Sequence, residues 1–222
     1  MEPFTTHRGK VAVLDWTDVN TDLIIPARYL KRVERVGYGP LLFADKRYVP
    51  GGAPEADDPA KHGPEAPDFP LNRPSARGAT VLIVRKNFGC GSSREHAVWA
   101  VAQAGFRAVI APVQGEGFAD IFEGNAYGNG LLPLELPQGQ WETIAEAGRS
   151  EAGAEVTIDL RALTLSLHPA GGPETTYPID VPEAQRHRLL NGLDAIAETL
   201  LDEPSIRAHE DKAPAWLTPR SA

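Results

Sequence analysis

The sequence predicts an α/β fold, on three observations. An apolar run at residues 79–84, a glycine-rich turn, a helix-compatible stretch and a second apolar run at 107–111 together read as a βαβ unit, whose crossover is right-handed in nearly all sheets. Residues 155–160 and 163–167 alternate apolar and polar residues around Arg161-Ala162, the pattern of a β-hairpin. At 222 residues the chain is long enough for one well-buried core and short for two.

Taken in order, residues 10–14 form a first strand, ended by the turn-rich stretch 15–22. Leu23-Ile-Ile25 stops at Pro26, and 27–33 forms a short helix. Residues 50–77, dense in Pro, Gly, Asp and Ala, read as a long surface loop inside the domain. The strand at 79–84 feeds a helix at about 94–104, with Gly105 as its C-terminal stop. A short helix at 118–123, a loop at 125–130 and an edge strand at 131–136, interrupted by Pro133, come next. After the hairpin, 182–201 reads as one helix with Leu189, Leu190, Leu193, Ile196, Ala197 and Leu200 near one stripe. These elements make a single domain over 1–202. Residues 203–222 are a polar, Pro-containing tail with Trp216 as a late anchor.

Composition narrows the function. A formal net charge of −8, with no basic stripe, argues against nucleic acid as a partner. No apolar run reaches the ~20 residues that span a bilayer, and the N-terminus lacks a charged-then-apolar signal segment, so the expected location is cytoplasmic. Cys90 is the only cysteine and the six histidines show no paired metal spacing, so no metal is assigned to this chain alone.

The chemistry concentrates in Asn87-Phe-Gly-Cys-Gly-Ser-Ser-Arg-Glu-His96. Ser92 and Glu95 have the spacing of a capping box, and Gly89 and Gly91 permit a tight turn with close backbone approach. Two hydroxyls, Ser92 and Ser93, and the Arg94 guanidinium then surround a helix start, an anion-binding arrangement. The macrodipole disfavours arginine at a helix start, so Arg94 makes sense where an anion arrives to pair with it. Ser92 is a nucleophile or a base on this reading. The Gly-x-Ser-x-Gly elbow, the dinucleotide fingerprint and the P-loop are all absent. Cys90 reads as a packed turn residue, and His96 as a helix side chain that orients its neighbours. A second cluster, Asp18-Val-Asn-Thr-Asp22, has the residue types of an Asx turn. It lies near Arg28, Lys31, Arg32 and Arg35, a cationic density that suits a dicarboxylate.

At these residues the sequence resembles the small subunit of 3-isopropylmalate dehydratase, related to the mobile C-terminal domain of aconitase. The match lies in Asp18-Val-Asn-Thr-Asp-Leu-Ile-Ile-Pro26 with Tyr29-Leu-Lys31, and in Asn87-Phe-Gly-Cys-Gly-Ser-Ser-Arg-Glu-His-Ala97. It continues through Phe118-Ala-Asp-Ile-Phe122 with Asn125, Leu131-Leu-Pro133 and Arg188-Leu-Leu-Asn-Gly-Leu-Asp194. Pro112-Val-Gln-Gly-Glu-Gly-Phe118 departs from the family by extra residues, which lengthen a loop near the site. The resemblance implies a swivelling three-layer β/β/α domain that closes over a large subunit carrying a four-iron four-sulfur cluster, with no cofactor on this chain. The implied reaction interconverts 2- and 3-isopropylmalate through isopropylmaleate, in leucine biosynthesis. Ser92 is then the base, Ser93 and Arg94 bind a substrate carboxylate, and Thr21 and Asp22 line the site. Tyr29, Leu30 and Lys31 form the loop associated with the substituent on the substrate's third carbon, and Arg28 is favoured over Arg32 for the second carboxylate. Related substrates of the homoaconitate or methylmalate type, and a non-catalytic anion-binding module of the same fold, are the alternatives.

Overall fold

The computed structural model describes residues 1–55, 58, 60–113 and 117–212. Its strands are β1 (Thr6–Leu14), β2 (Val81–Val84), β3 (Ala108–Pro112), β4 (Leu132–Leu136), β5 (Ala154–Asp159), β6 (Thr164–Pro169) and β7 (Thr175–Pro178). Its helices are α1 (Thr21–Ile24), α2 (Ala44–Arg47), α3 (Glu95–Gln103), α4 (Asp120–Gly128), α5 (Gln138–Arg149), α6 (Glu183–Asn191), α7 (Ala195–Leu200) and α8 (Glu203–Glu210).

Strand β1 belongs to two sheets. Its first half, Thr6 to Lys10, pairs antiparallel with β5, and its second half, Val11 to Leu14, pairs parallel with β2. The strand order is therefore β4-β3-β2-β1-β5-β6-β7, with a parallel half and an antiparallel half joined through one chain segment. Each crossover in the parallel half moves one strand in the same direction, so right-handed connections all land on one face. That face takes Leu82 and Val84 of β2 together with Ala97, Val98 and Val101 of α3. The opposite face takes Val81 and Ile83, packed with Val156 and Ile158 of β5, Leu165 of β6 and Trp141 of α5. Alternate residues of β2 thus serve two cores, which is why its sequence is apolar throughout. The layers are antiparallel sheet, parallel sheet and helices, the β/β/α architecture. No helix among the described residues is long and apolar enough to cross a membrane.

Most elements fall where the pattern puts them. The hairpin forms, with Asp159 opposite Thr164 and the Asp159 carboxylate accepting from the amides of Arg161 and Ala162. β4 is an edge strand, where Pro133 lacks no needed donor. The short helix expected at 27–33 is a 3-10 turn over Ala27–Lys31. Within 50–77, 3-10 turns at Pro70–Asn72 and Pro74–Ala76 follow Phe69, which is buried against Trp16 and Phe43.

The structure differs from these expectations in four places. The helix expected over 182–201 is two helices, because Gly192 adopts φ 66° and ends α6 with the Leu193 amide donating to the Arg188 carbonyl. A side chain at Gly192 would meet the Met1 carbonyl at 2.6 Å, so the N-terminus packs where a continuous helix would run. Asp194 then caps α7 by accepting from the Ala197 amide. The expected loop at 125–130 is helical as far as Gly128, held by the burial of Ala126 and Tyr127. Helix α5 and strand β7 carry no strong sequence signal, since α5 contains two glycines and follows Pro137. Part of the expected tail is α8, and Trp216 lies outside the described residues.

One contact fixes the motif turn against the fold. Phe122 of α4 lies edge-on to Phe88 at 5.1 Å and stacks with Phe118 at 6.2 Å. Gly89 crosses this aromatic group at φ 80°, where a Cβ would come within 2.6 Å of three Phe122 side-chain atoms. Gly89→Ala combines a left-handed backbone penalty with overpacking, a cost of about 2–4 kcal/mol. The expected result is a urea midpoint shifted down with an unchanged slope; an unshifted midpoint would mean that the turn is free to relax.

Candidate functional site

The loops that leave β1, β2 and β3 meet at the C-terminal end of the parallel strands, where ligands of open α/β sheets bind. They are laced together by backbone. The Asp18 amide donates to the Lys86 carbonyl at 3.1 Å, the Gly89 amide to Val19 at 2.7 Å and the Thr21 amide to Cys90 at 2.9 Å. Phe88 donates to the Gly117 carbonyl and accepts from the Ala119 amide, both at 3.1 Å. Asp18 and Asn87 take φ of 54° and 60°, which Asp and Asn tolerate better than other side-chain-bearing residues, and the Asn87 amide donates to the Asp18 carboxylate at 2.7 Å. Asn20 caps α1 by accepting from the Leu23 amide at 2.8 Å, three residues on, so the expected Asx turn takes the form of a helix cap.

Thr21 is buried, and its hydroxyl donates to the Ser92 backbone carbonyl at 2.9 Å. That bond holds the peptide that follows Ser92. Ser92 and Ser93 themselves are exposed, and with Thr21, Gly91 and Arg94 they line a cleft of about 220 Å³. Among the described residues, the amides of Ser92, Ser93 and Arg94 have no backbone acceptor. The opposite wall is Ala119, Asp120, Ile121 and Phe122.

The expected capping box does not form. Helix α3 begins at Glu95 with Arg94 in extended conformation as its cap and no side chain in the capping role. The Glu95 carboxylate turns away to accept from the Asn129 side chain at 2.9 Å, and Asn129 in turn accepts from the Trp99 indole at 3.0 Å. Ser92 therefore precedes the helix by three residues, in the turn, and its side chain is not consumed by a cap.

Arg94 is mostly buried and donates to the Asp22 carboxylate, which is half-exposed. The anion expected beside this guanidinium is, in the chain by itself, an internal carboxylate. His96 packs between Tyr38 at 5.6 Å and Trp99 at 4.8 Å, and burial lowers its pKa, so the ring is neutral at pH 7. Burial and the Asp18 charge raise the Cys90 pKa, which keeps the thiol protonated as a turn residue.

The other expected residues lie outside this cleft. Arg28 forms a two-pronged pair with Asp45, which raises its pKa, and also donates to the Tyr29 hydroxyl at 3.1 Å. Tyr29 is buried, with its hydroxyl donating to the Pro54 carbonyl at 2.7 Å. Leu30 is partly exposed and Lys31 exposed. Arg32 stacks over Tyr38 and pairs with Glu34. The structure thus gathers Thr21, Ser92, Ser93 and Arg94 around one opening with Asp22 paired to Arg94, and keeps Arg28, Tyr29, Leu30 and Lys31 off its lining. Ala119 and Ile121 were not anticipated as site residues; their spacing at a helix start carries no chemical signal of its own. Within the lengthened stretch, residues 114–116 lie outside the described residues, and the Gly117 amide beyond them donates to Glu135 at 3.0 Å. Among the described residues no three His, Cys, Asp or Glu side chains gather as metal ligands.

Comparison with known proteins gives the chain's kinship. The family model for the aconitase C-terminal domain matches residues 1–139. The chain is 48% identical over 210 residues to the 3-isopropylmalate dehydratase small subunit of Teredinibacter turnerae, covering 95% of this chain and 93% of that one. It is 43% identical to the protein of that name from Desulforapulum autotrophicum, covering 99% and 100% of the two chains. The corresponding Bacillus pumilus protein is 46% identical, with 98% and 99% covered. A crystal structure of 3-isopropylmalate dehydratase from Methanocaldococcus jannaschii superposes with a TM-score of 0.57 at 25% identity, covering 92% of this chain and 99% of that one. With its fold and its near-full-length kinship in agreement, the chain belongs to the 3-isopropylmalate dehydratase small-subunit family, within the aconitase C-terminal domain class.

Proposed function

We propose that this chain is the small subunit of a hydro-lyase that interconverts 2-isopropylmalate and 3-isopropylmalate through isopropylmaleate, in leucine biosynthesis. One observation carries the chemical part: Ser92, Ser93 and Arg94 line one cleft, on a turn fixed from two sides by backbone bonds and by Phe122. In this reading Arg94 leaves Asp22 and grips a substrate carboxylate with its planar fork, while Ser93 hydrogen-bonds the same group. Ser92, as an alkoxide, takes the proton from the carbon next to that carboxylate as the hydroxyl departs from the neighbouring carbon. Returning the proton and the hydroxyl to the opposite carbons, one water in all, gives the isomer.

Magnitudes decide what else is needed. A helix N-terminus stabilises an anion by at most ~2 kcal/mol, little more than one pKa unit, far too little for a serine base at neutral pH. Well-aimed donors to an oxyanion contribute ~3 kcal/mol each, but only where water is excluded. The cleft here opens to solvent, with both serines exposed. A second protein surface must close it, and the large subunit of the dehydratase is the natural candidate. This chain's residues do not fit an iron–sulfur cluster, which takes about four thiolates where the sequence has Cys90 alone, so a four-iron four-sulfur cluster belongs to that partner. Lys31, the residue that would meet an extra carboxylate in a homoaconitate-type substrate, does not line the cleft, which favours an uncharged substituent. A cytoplasmic setting suits the reading.

Three outcomes are expected. The purified chain alone forms no isopropylmaleate by ultraviolet absorbance, and mixing with the large subunit restores turnover; turnover by the chain alone would sink the two-protein reading. In the reconstituted enzyme, Ser92→Ala lowers kcat by about 10²–10⁴-fold with KM largely kept, and a near-normal kcat removes Ser92 from the chemistry. Arg94→Lys raises KM by roughly 10–100-fold, because a point charge cannot reproduce the fork; an unchanged KM would show that the carboxylate is held elsewhere.

A further inference from the structure

Ser92 and Glu95 have the spacing at which a glutamate reaches back to the amide three positions before it. In this site such a bond works against the chemistry. A carboxylate on the Ser92 amide occupies a donor that an arriving anion needs, and it sets a negative charge beside the hydroxyl that must lose its proton. Glu95 is instead drawn off by Asn129, the C-terminal cap of α4, whose side chain donates to it at 2.9 Å. Chemistry fixes which way that side chain faces. An indole N–H only donates, so the Trp99 contact at 3.0 Å holds the Asn129 oxygen. The NH2 group is left to face Glu95 and the Asn125 carbonyl, both at 2.9 Å. Trp99 is held in turn by the rings of Tyr38 and His96, at 5.5 and 4.8 Å. The acidic residue nearest in sequence to the free amides of the turn is thereby committed to another helix.

We infer that Asn129 is a positioning residue: it holds the Glu95 carboxylate away from the turn at Ser92–Arg94 and so keeps the amides of that turn open to an anion. Its kinetic consequence rests on the proposed reaction, and it acts through Glu95 rather than on the substrate. In the enzyme reconstituted with its large subunit, Asn129→Ala is expected to lower kcat/KM for 3-isopropylmalate about 10-fold. Glu95→Ala is expected to stay within about threefold of wild type, and the double variant to return to the Glu95→Ala level. A merely structural role for Asn129 is not repaired by removing Glu95, so losses that add, or a folded Asn129→Ala enzyme of full activity, would overturn the inference. Should Asn129→Ala fail to fold, Trp99→Phe removes the donor that orients Asn129 and keeps a ring in place. A loss repaired by Glu95→Ala is expected there too, and no loss or an unrepaired one overturns the inference. The Ser92 amide proton of the full chain gives a readout without turnover. Its resonance is expected to move downfield in Asn129→Ala and to return in the double variant, and an unmoved resonance overturns the inference. A wild-type pair that leaves 3-isopropylmalate untouched overturns the proposed reaction, and the Ser92 resonance then decides the role of Asn129 by itself.

Discussion

The backbone at Gly89 passes so close to Phe122 that no other residue fits between them, and much of the site follows from that approach. Phe122 belongs to α4, which follows β3, whereas Gly89 follows β2. Their contact joins two successive crossovers of the parallel sheet at the end where the cleft opens. The Phe88 and Phe118 rings close the group, and the bonds between Phe88, Gly117 and Ala119 add a short stretch of parallel pairing beyond the sheet. A turn held in this way can leave its hydroxyls and amides pointing at solvent without collapsing onto them. Preorganisation of that kind is what an oxyanion site needs, since donors that must reorganise contribute little.

A second constraint comes from β1. Because one strand carries both sheet halves, the loop that leaves its end starts beside β2 and meets the motif turn directly. Thr21 and Asp22 reach the cleft by this route, 71 or more residues in sequence from the groups they touch. Thr21 is spent on backbone, fixing the carbonyl of Ser92, while Asp22 holds the Arg94 fork in the absence of substrate. The pair shows how an acidic protein keeps a mostly buried guanidinium neutralised, by a carboxylate that solvent can reach.

The division of labour between proteins is also written in this chain. It offers hydroxyls, a guanidinium and an apolar wall, and its one thiol is a turn residue held protonated by burial and by Asp18. Under the proposed function, this surface binds and orients the small diacid. Under the same proposal, the electrophile for the departing hydroxyl and the exclusion of water are left to the large subunit, since the sequence has a single thiol.

The sequence by itself determined the βαβ unit, the edge strand (which runs on through Pro133 and is not broken by it), the hairpin with its Asp159 turn and the residue types of Ser92, Ser93 and Arg94. Each of these depends on residues adjacent in the chain: strand alternation, a missing amide, left-handed glycines, a run of hydroxyls before a helix. Tertiary structure decided the rest. It moved the cap of α3 from Ser92 to Arg94, because Asn129 from another helix captured Glu95. It broke the helix at Gly192, where the N-terminus packs, and it extended α4 through a glycine- and asparagine-rich stretch by burying Ala126 and Tyr127. It tied Arg28 to Asp45 and set Ile121 opposite the serines. Local rules see only the backbone and side-chain preferences of near neighbours, whereas these outcomes depend on which distant surface arrives to compete for the same hydrogen bond or the same space.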